Sequence, residues 1–305
     1  MAMAGEKGRG RWFVIAVPYL WLLALFLAPF LIVFKISLSQ DVVAQPPYAP
    51  QLDLSNGLAG LTDFLSQLSL ANYGYVLDFS NEFLEAYGSS LVIASISTVL
   101  LLLVGYPIAY GMARAPRSIQ PTLLMLVILP FWTSFLLRVY AWKGILADQG
   151  VINQLLMAVG IIEEPIQMLY TNVSMLVGMT YVYLPFMILP LYANLVKMDF
   201  RLLEAAYDLG TTPFKAFWLV TVPLSKAGII AGFMLVFIPS VGEFVIPSLL
   251  GGPENIMIGR AVWDEMFTAN NWPRASALAV VMIGLIVVPL AVYYHYTGDP
   301  AERKA

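Results

Sequence analysis

The chain has 305 residues, of which 60% are apolar, 13% aromatic and 11% charged. A soluble domain carries about 25% charged residues, so this chain cannot cover a water-facing surface. An ordinary globular enzyme, a disordered chain and a nucleic-acid binder are excluded. The net charge of −3 offers no basic patch for phosphates. With no cysteine and one histidine, His295, the chain has no thiol chemistry, disulfides or Cys/His zinc site. What remains is a polytopic membrane protein.

A helix needs roughly 20 apolar residues to cross ~30 Å of hydrocarbon. After a tail, residues 1–11, the first uncharged run is Trp12–Phe34. It outlasts a signal-peptide core and no convincing cleavage site follows, so it reads as a span. Residues 35–85 form a long segment with Pro46, Pro47 and Pro50 near its start, long enough to cap the first helix or dock a partner. Further uncharged runs are Ala86–Ala113, Ser118–Leu137, Pro165–Val196 and Ala275–Gly298; Ala227–Pro253 is interrupted only by Glu243. A tail, residues 297–305, closes the chain. Spans in lipid must satisfy their own backbone hydrogen bonds, as helices do, and a β-barrel would show short alternating segments. The expectation is an all-α integral membrane protein with six transmembrane helices. Pro107, Pro130, Pro185, Pro190, Pro239 and Pro247 punctuate the spans, suggesting broken helices around a pathway, although kinks occur in any polytopic protein.

Orientation follows from the basic residues. With the N-terminus inside, cytoplasmic segments hold Lys7, Arg9, Arg11, Arg114, Arg117, Lys197, Arg201, Lys215, Lys226, Arg303 and Lys304, eleven of the sixteen. Lys35, Arg138, Lys143, Arg260 and Arg274 stay outside. Both termini are therefore expected in the cytoplasm, with residues 35–85 and 251–274 outside. Twelve of nineteen acidic residues fall in the outer segments, which reads either as a vestibule for cations or as acids filling loops that lack bases.

Between the fourth and fifth spans, Leu202, Ala205, Ala206 and Leu209 recur at helical spacing on one face, opposite Arg201, Glu204 and Asp208. Gly210 is a natural helix stop. Thr212-Pro213 signals the start of a second helix, which leads to Pro223. The small face of Ala205 and Ala206 permits close approach by another surface; the same pattern also suits a helix lying on lipid.

Glu204-Ala205-Ala206, three residues, Gly210, nine residues, then Val220-x-Val222-Pro223 resembles the EAA loop of binding-protein-dependent ABC importer permeases. The family pattern, E-A-A-x3-G-x9-I-x-L-P, is met with two mild apolar changes, at Val220 and Val222. Residues 105–110 (GYPIAY), 129–135 (LPFWTSF), 228–232 (GIIAG) and 242–247 (GEFVIP) extend the resemblance to permeases of polyamine (spermidine/putrescine) importers, and residues 29–38 to the putrescine branch. The resemblance implies a type I ABC importer transmembrane domain in the cell inner membrane. Residues 86–296 would be its permease core, and residues 200–223 the loop coupling it to an ATPase through Glu204, Ala205, Ala206 and Gly210. It implies as partners a second related permease, two ATP-binding subunits and a periplasmic polyamine-binding protein. ATP and magnesium would be used by those subunits. This chain itself lacks a phosphate-cradling Gly-x4-Gly-Lys-Ser/Thr: Gly5 and Gly10 have the spacing, but Arg11 and Trp12 follow.

Glu243 lies 17 residues beyond Lys226, about 25 Å along a continuous helix. A charge at depth is costly and usually faces a cavity. If the cargo is a diamine, as the resemblance implies, this carboxylate offers a charge-matched site. Alternatively it caps a broken helix or pairs with Arg138 or Lys143. Pro239, Gly242 and Pro247 around it favour irregular backbone. Trp132 and Tyr183, each beside a kinking proline, are the aromatic candidates for the pathway, since a ring face attracts an ammonium. The other aromatic residues towards the outer side read as interfacial anchors, and His295 as a boundary residue. A competing reading is an autonomous secondary transporter or channel for organic cations that uses Glu243 for coupling or selectivity. A membrane enzyme would need clustered ligand or nucleophile residues, and the sequence has none.

Overall fold

The computed structural model describes residues 7–51, 57–252 and 256–297. The structure is mostly helical. The first apolar run forms α1 (Lys7–Leu22) and α2 (Ala28–Ser37), joined without interruption by a π-turn at Leu23–Leu27. Then come β1 (Gln40–Asp41) paired antiparallel with β2 (Tyr48–Ala49), α3 (Gly57–Ser66) and α4 (Ala71–Val76). The remaining helices are α5 (Glu82–Arg114), α6 (Gln120–Ile128), α7 (Phe135–Ile145), α8 (Val151–Ala158) and α9 (Asn172–Leu195). After these come α10 (Arg201–Asp208), α11 (Pro213–Ala216), α12 (Val222–Leu224) and α13 (Lys226–Val241). Three more complete the order: α14 (Val245–Leu250), α15 (Ile258–Trp263) and α16 (Trp272–Thr297). The last helix carries His295, whose side chain lies outside the described residues, as do both tails beyond residues 7 and 297.

The chain divides into two units, Met1–Leu84 with Ala261–Ala305, and Glu85–Arg260. In the first, α16 packs on α2 and α4. The segment after α2 folds back on that helix's end. Lys35 Nζ donates to the Pro50 carbonyl at 2.6 Å and lies 4.2 Å from the Tyr48 ring. Asn72 Nδ2 donates to the carbonyls of Ser37 and Ser39. Most of the apolar stretch Val14–Ser37 is open, with only Ile36 and Ser37 at its end buried, an exposure that lipid tolerates and water does not.

In the second unit α13 runs along α9. Their close approach depends on Gly228 and Gly232, where an added Cβ would lie 2.7 Å from Asn194 Cβ and 2.8 Å from Met187 Sδ. Without a hydrophobic force between helices in lipid, such small residues are what let backbones pack. Met175, Met179, Met187, Leu191 and Leu195 of α9 fill the core with Val236, Ile246 and Leu250.

Three of the expected spans differ from a straight helix. Ser118–Leu137 breaks after the 3-10 turn Leu129–Trp132, and α6 with that turn meets α7 at 87°. Thr133 and Ser134 are extended there, with the Thr133 hydroxyl donating to the Pro130 carbonyl at 2.8 Å. Pro165–Val196 is helical only from Asn172, because Thr171 and Ser174 form a reciprocal capping box. Ala227–Pro253 leaves the helix after Val241 and re-enters as α14, so the continuous helix expected to carry Glu243 stops two residues short of it. Conversely, Pro107, Pro185, Pro190 and Pro239 sit inside unbroken helices. Proline density alone overstates the breakage. Among the described residues, α1–α2, α5 and α9 hold apolar stretches long enough to cross a membrane; counting each of the two bent pairs, α6–α7 and α11–α13, as one span gives up to five, and α16 is apolar over Trp272–Val288.

Candidate functional site: a closed carboxylate and an open loop

Glu243 occupies the gap between α13 and α14. Its Oε1 accepts from the backbone N–H groups of Phe244 at 3.2 Å, Val245 at 3.0 Å and Ile246 at 3.4 Å. These are donors that the first turn of a helix leaves without a partner, so the carboxylate caps α14. Its Oε2 accepts from the Tyr183 hydroxyl of α9. Both side chains are only 8% exposed.

Three contacts hold this arrangement. Gly259, at the start of α15, passes so close that an added Cβ would stand 2.6 Å from the Glu243 carbonyl oxygen. Gly178 on α9 leaves room for Ile246 and Leu250 of α14. The Ser174 hydroxyl, buried at the head of α9, donates to the Leu250 carbonyl at 2.7 Å. The short helix is thus fastened at one end by Glu243 and at the other by Ser174. A sequence shows that these residues are small or polar, but the backbone approaches join segments many residues apart, and no local pattern announces them.

The structure brings Tyr183 and Glu243 together but places Trp132 elsewhere. Trp132 is 80% exposed and lines a separate concavity with Pro121, Leu124, Met125, Ile128 and Leu129. Neither basic residue considered for Glu243 is directed at it. The Arg138 guanidinium stacks over Phe131 at 5.8 Å, and Lys143 faces the Tyr170 ring at 5.7 Å. From Tyr183 an aromatic run continues through Phe186, at 6.1 Å between rings, to Phe131 at 5.1 Å.

The loop between α9 and α13 is built in the opposite way. Asp199 precedes α10 and receives the Arg201 backbone N–H at 3.1 Å and its guanidinium at 2.8 Å. Those hydrogen bonds hold the Asp199 carboxyl below the usual carboxylate range. At the other end Gly210, with φ of 81°, donates to Tyr207, and Thr211 donates to Ala206, the paired bonds of a glycine-terminated helix. Thr212 Oγ1 accepts from Lys215 N at 3.5 Å and starts α11. Leu203 is buried and anchors α10. The face of Leu202, Ala205 and Leu209 is open, with Leu209 87% exposed, and Glu204 is exposed as well. Beneath the loop lies an aromatic layer missed by sequence reading. Phe200 meets Tyr110 at 6.4 Å, Phe217 meets Tyr110 at 5.9 Å and Tyr106 at 5.4 Å, and the Tyr106 hydroxyl bonds Ser225 at 2.7 Å. Ser225 stands where α11–α12 turns into α13, a bend of 68°.

A family model described as "binding-protein-dependent transport system inner membrane component" matches residues 103–297. A spermidine/putrescine transport system permease protein, PotB, of Haemophilus influenzae is 36% identical over 281 residues, 92% of this chain and 91% of its own length. The protein of that name in Escherichia coli is 37% identical over 226 residues, 74% of this chain and 82% of its own. The crystal structure of a bacterial ABC transporter involved in importing the acidic polysaccharide alginate shares the fold, with a TM-score of 0.66 at 13% identity, covering 94% of this chain and 96% of the other.

Proposed function

The chain belongs to the family of inner-membrane components of binding-protein-dependent transport systems, and from that premise we propose that it is the permease of an ATP-driven polyamine importer that carries putrescine. It is a multi-pass inner-membrane protein. The relatives are named for both spermidine and putrescine; putrescine is the finer reading, and it comes from the first-span stretch 29–38. In this reading six helices cross the membrane with both termini in the cytoplasm. The chain forms half of a translocation path with a second permease. Two ATP-binding subunits, using ATP and magnesium, receive the open face of α10 through Glu204, Ala205, Ala206 and Gly210. A periplasmic binding protein delivers the cargo, as a periplasmic protein is bound in a structural relative.

The observation that carries the reading is the exposed loop with its glycine-terminated helix. An apolar face including Leu202 and Leu209 stays open although the rest of the loop is anchored by Leu203 and an aromatic layer. Glu243 is assigned to the path, where a carboxylate in low dielectric attracts a cation more strongly than the ~1 kcal/mol left at 4 Å in water, yet must release it. Trp132, exposed on its 3-10 turn, keeps its assignment as an aromatic contact along the path surface.

Reconstitution in liposomes tests this. The chain with its partners takes up putrescine only with ATP and binding protein, and excess spermidine competes weakly. Glu243→Gln, which keeps the size and one acceptor oxygen for the cap while removing the charge, lowers uptake several-fold under limiting substrate. Uptake by the chain alone would instead establish an autonomous transporter.

A further inference from the structure

The two oxygens of Glu243 do different work. Oε1 serves three backbone N–H groups and cannot be withdrawn without leaving the first turn of α14 unpaired. Oε2 serves the Tyr183 hydroxyl, a donor from another helix. Hydrogen bonds to an ionised acceptor are the stronger class, and stronger still when the donor is itself charged. An alkylammonium therefore replaces a neutral phenol at Oε2 with gain, while an alcohol replaces it with none. Tyr183 and Glu243 are almost wholly enclosed together, so nothing else reaches Oε2 until the pair separates.

Resting on the assignment of Glu243 to the path, we propose that the Tyr183 hydroxyl is a stand-in for the cargo's ammonium. It occupies Oε2 in the closed state and yields it to a protonated primary amine, while Oε1 keeps the cap and α14 keeps its place. The exchange breaks one O–H···O bond and forms one N–H···O bond; no covalent bond changes. It selects for cations that carry N–H donors, since a quaternary ammonium has charge but cannot make that bond. Beyond Tyr183 the Phe186 ring offers an apolar surface to the cargo's methylenes, while the Phe131 ring next to it already carries the Arg138 guanidinium. The same device keeps the path shut when no amine is present, because separating the pair then leaves a buried carboxylate oxygen without a donor.

The test uses the importer assembled with its partners in liposomes, with putrescine and its hexamethylated, bis-quaternary analogue as probes. Tyr183→Phe removes the stand-in. Its ATP hydrolysis with empty binding protein is expected to rise at least three-fold, and its KM for putrescine to fall relative to kcat. The bis-quaternary analogue is expected to inhibit labelled putrescine uptake at least ten-fold less well than unlabelled putrescine does. Hydrolysis by Tyr183→Phe at the wild-type rate overturns the proposal. Should Tyr183→Phe fail to assemble, 3-fluorotyrosine at position 183, a stronger donor of nearly the same shape, raises the KM at least two-fold; an unchanged KM then overturns it. Glu243→Gln separates the two ideas. If its uptake falls while Tyr183→Phe behaves as wild type, the path assignment survives and the stand-in does not. If its uptake is normal, the path assignment itself is wrong.

Discussion

Two glycines, Gly210 and Gly259, mark the two candidate regions for opposite reasons. At Gly210 the backbone has φ of 81° and an added Cβ would meet nothing within 4 Å; the position needs conformational freedom and sits in open space. At Gly259 an added Cβ would strike the Gly242–Glu243 backbone; the position needs emptiness and sits inside a packed joint. The loop presents a surface with little holding it from outside. The Glu243 joint has its hydrogen bonds paired and is shut. Damage to the first should therefore cost coupling without cost to the fold, and damage to the second should cost both.

The largest effect is expected at the joint. Gly259→Val forces the backbone apart, and overpacking of this kind costs about 1–3 kcal/mol or more. The thermal midpoint of the detergent-purified permease should fall by ~5 °C or more, with uptake lost. A stable, active variant would show that the joint tolerates movement. Gly210→Val comes next. A left-handed conformation costs a β-branched residue roughly 1–2 kcal/mol, so the chain reroutes after α10. Because the turn is exposed and nothing packs on the new side chain, rerouting releases most of that strain: uptake should fall about ten-fold while the thermal midpoint stays within ~2 °C. Ser174→Ala has the mildest effect on uptake. It removes the hydrogen bond to Leu250 and half the capping box, a loss of about 1–2 kcal/mol, read as a drop of a few degrees in midpoint with uptake reduced less than at Gly259. Equal midpoints for Gly210→Val and Gly259→Val would erase the distinction between the regions.

The loop was legible in sequence because its determinants are local. Gly210, Thr212 and Pro213 act within a turn of themselves, and the positions of Leu202, Ala205 and Leu209 follow from helical spacing. Leu203 as the anchor was not legible, since which apolar side chain of α10 turns inward depends on what the helix packs against, here the later turn Phe217–Thr221. At the joint, Pro239, Gly242 and Pro247 pointed to irregular backbone, and the chain does leave the helix there. The bond to Tyr183, 60 residues away, and the approach of Gly259 are tertiary and carry no local mark. Pro130 marked its span for a break and the helix does end there in a 3-10 turn, but the 87° angle that follows was not legible, because an uncharged run reports only what lipid accepts.

The chain has no cysteine, so a single introduced thiol reports on one position. Ala205→Cys, on the open face of α10, is the direct probe of coupling. In inside-out vesicles holding this permease and its partner permease, a membrane-impermeant maleimide should modify it rapidly. With the two ATP-binding subunits assembled, labelling should slow at least ten-fold, and in right-side-out vesicles it should be absent. Equal labelling with and without the ATP-binding subunits, or labelling from the periplasmic side, would contradict the assignment of this loop as the surface through which ATP hydrolysis reaches the transport path.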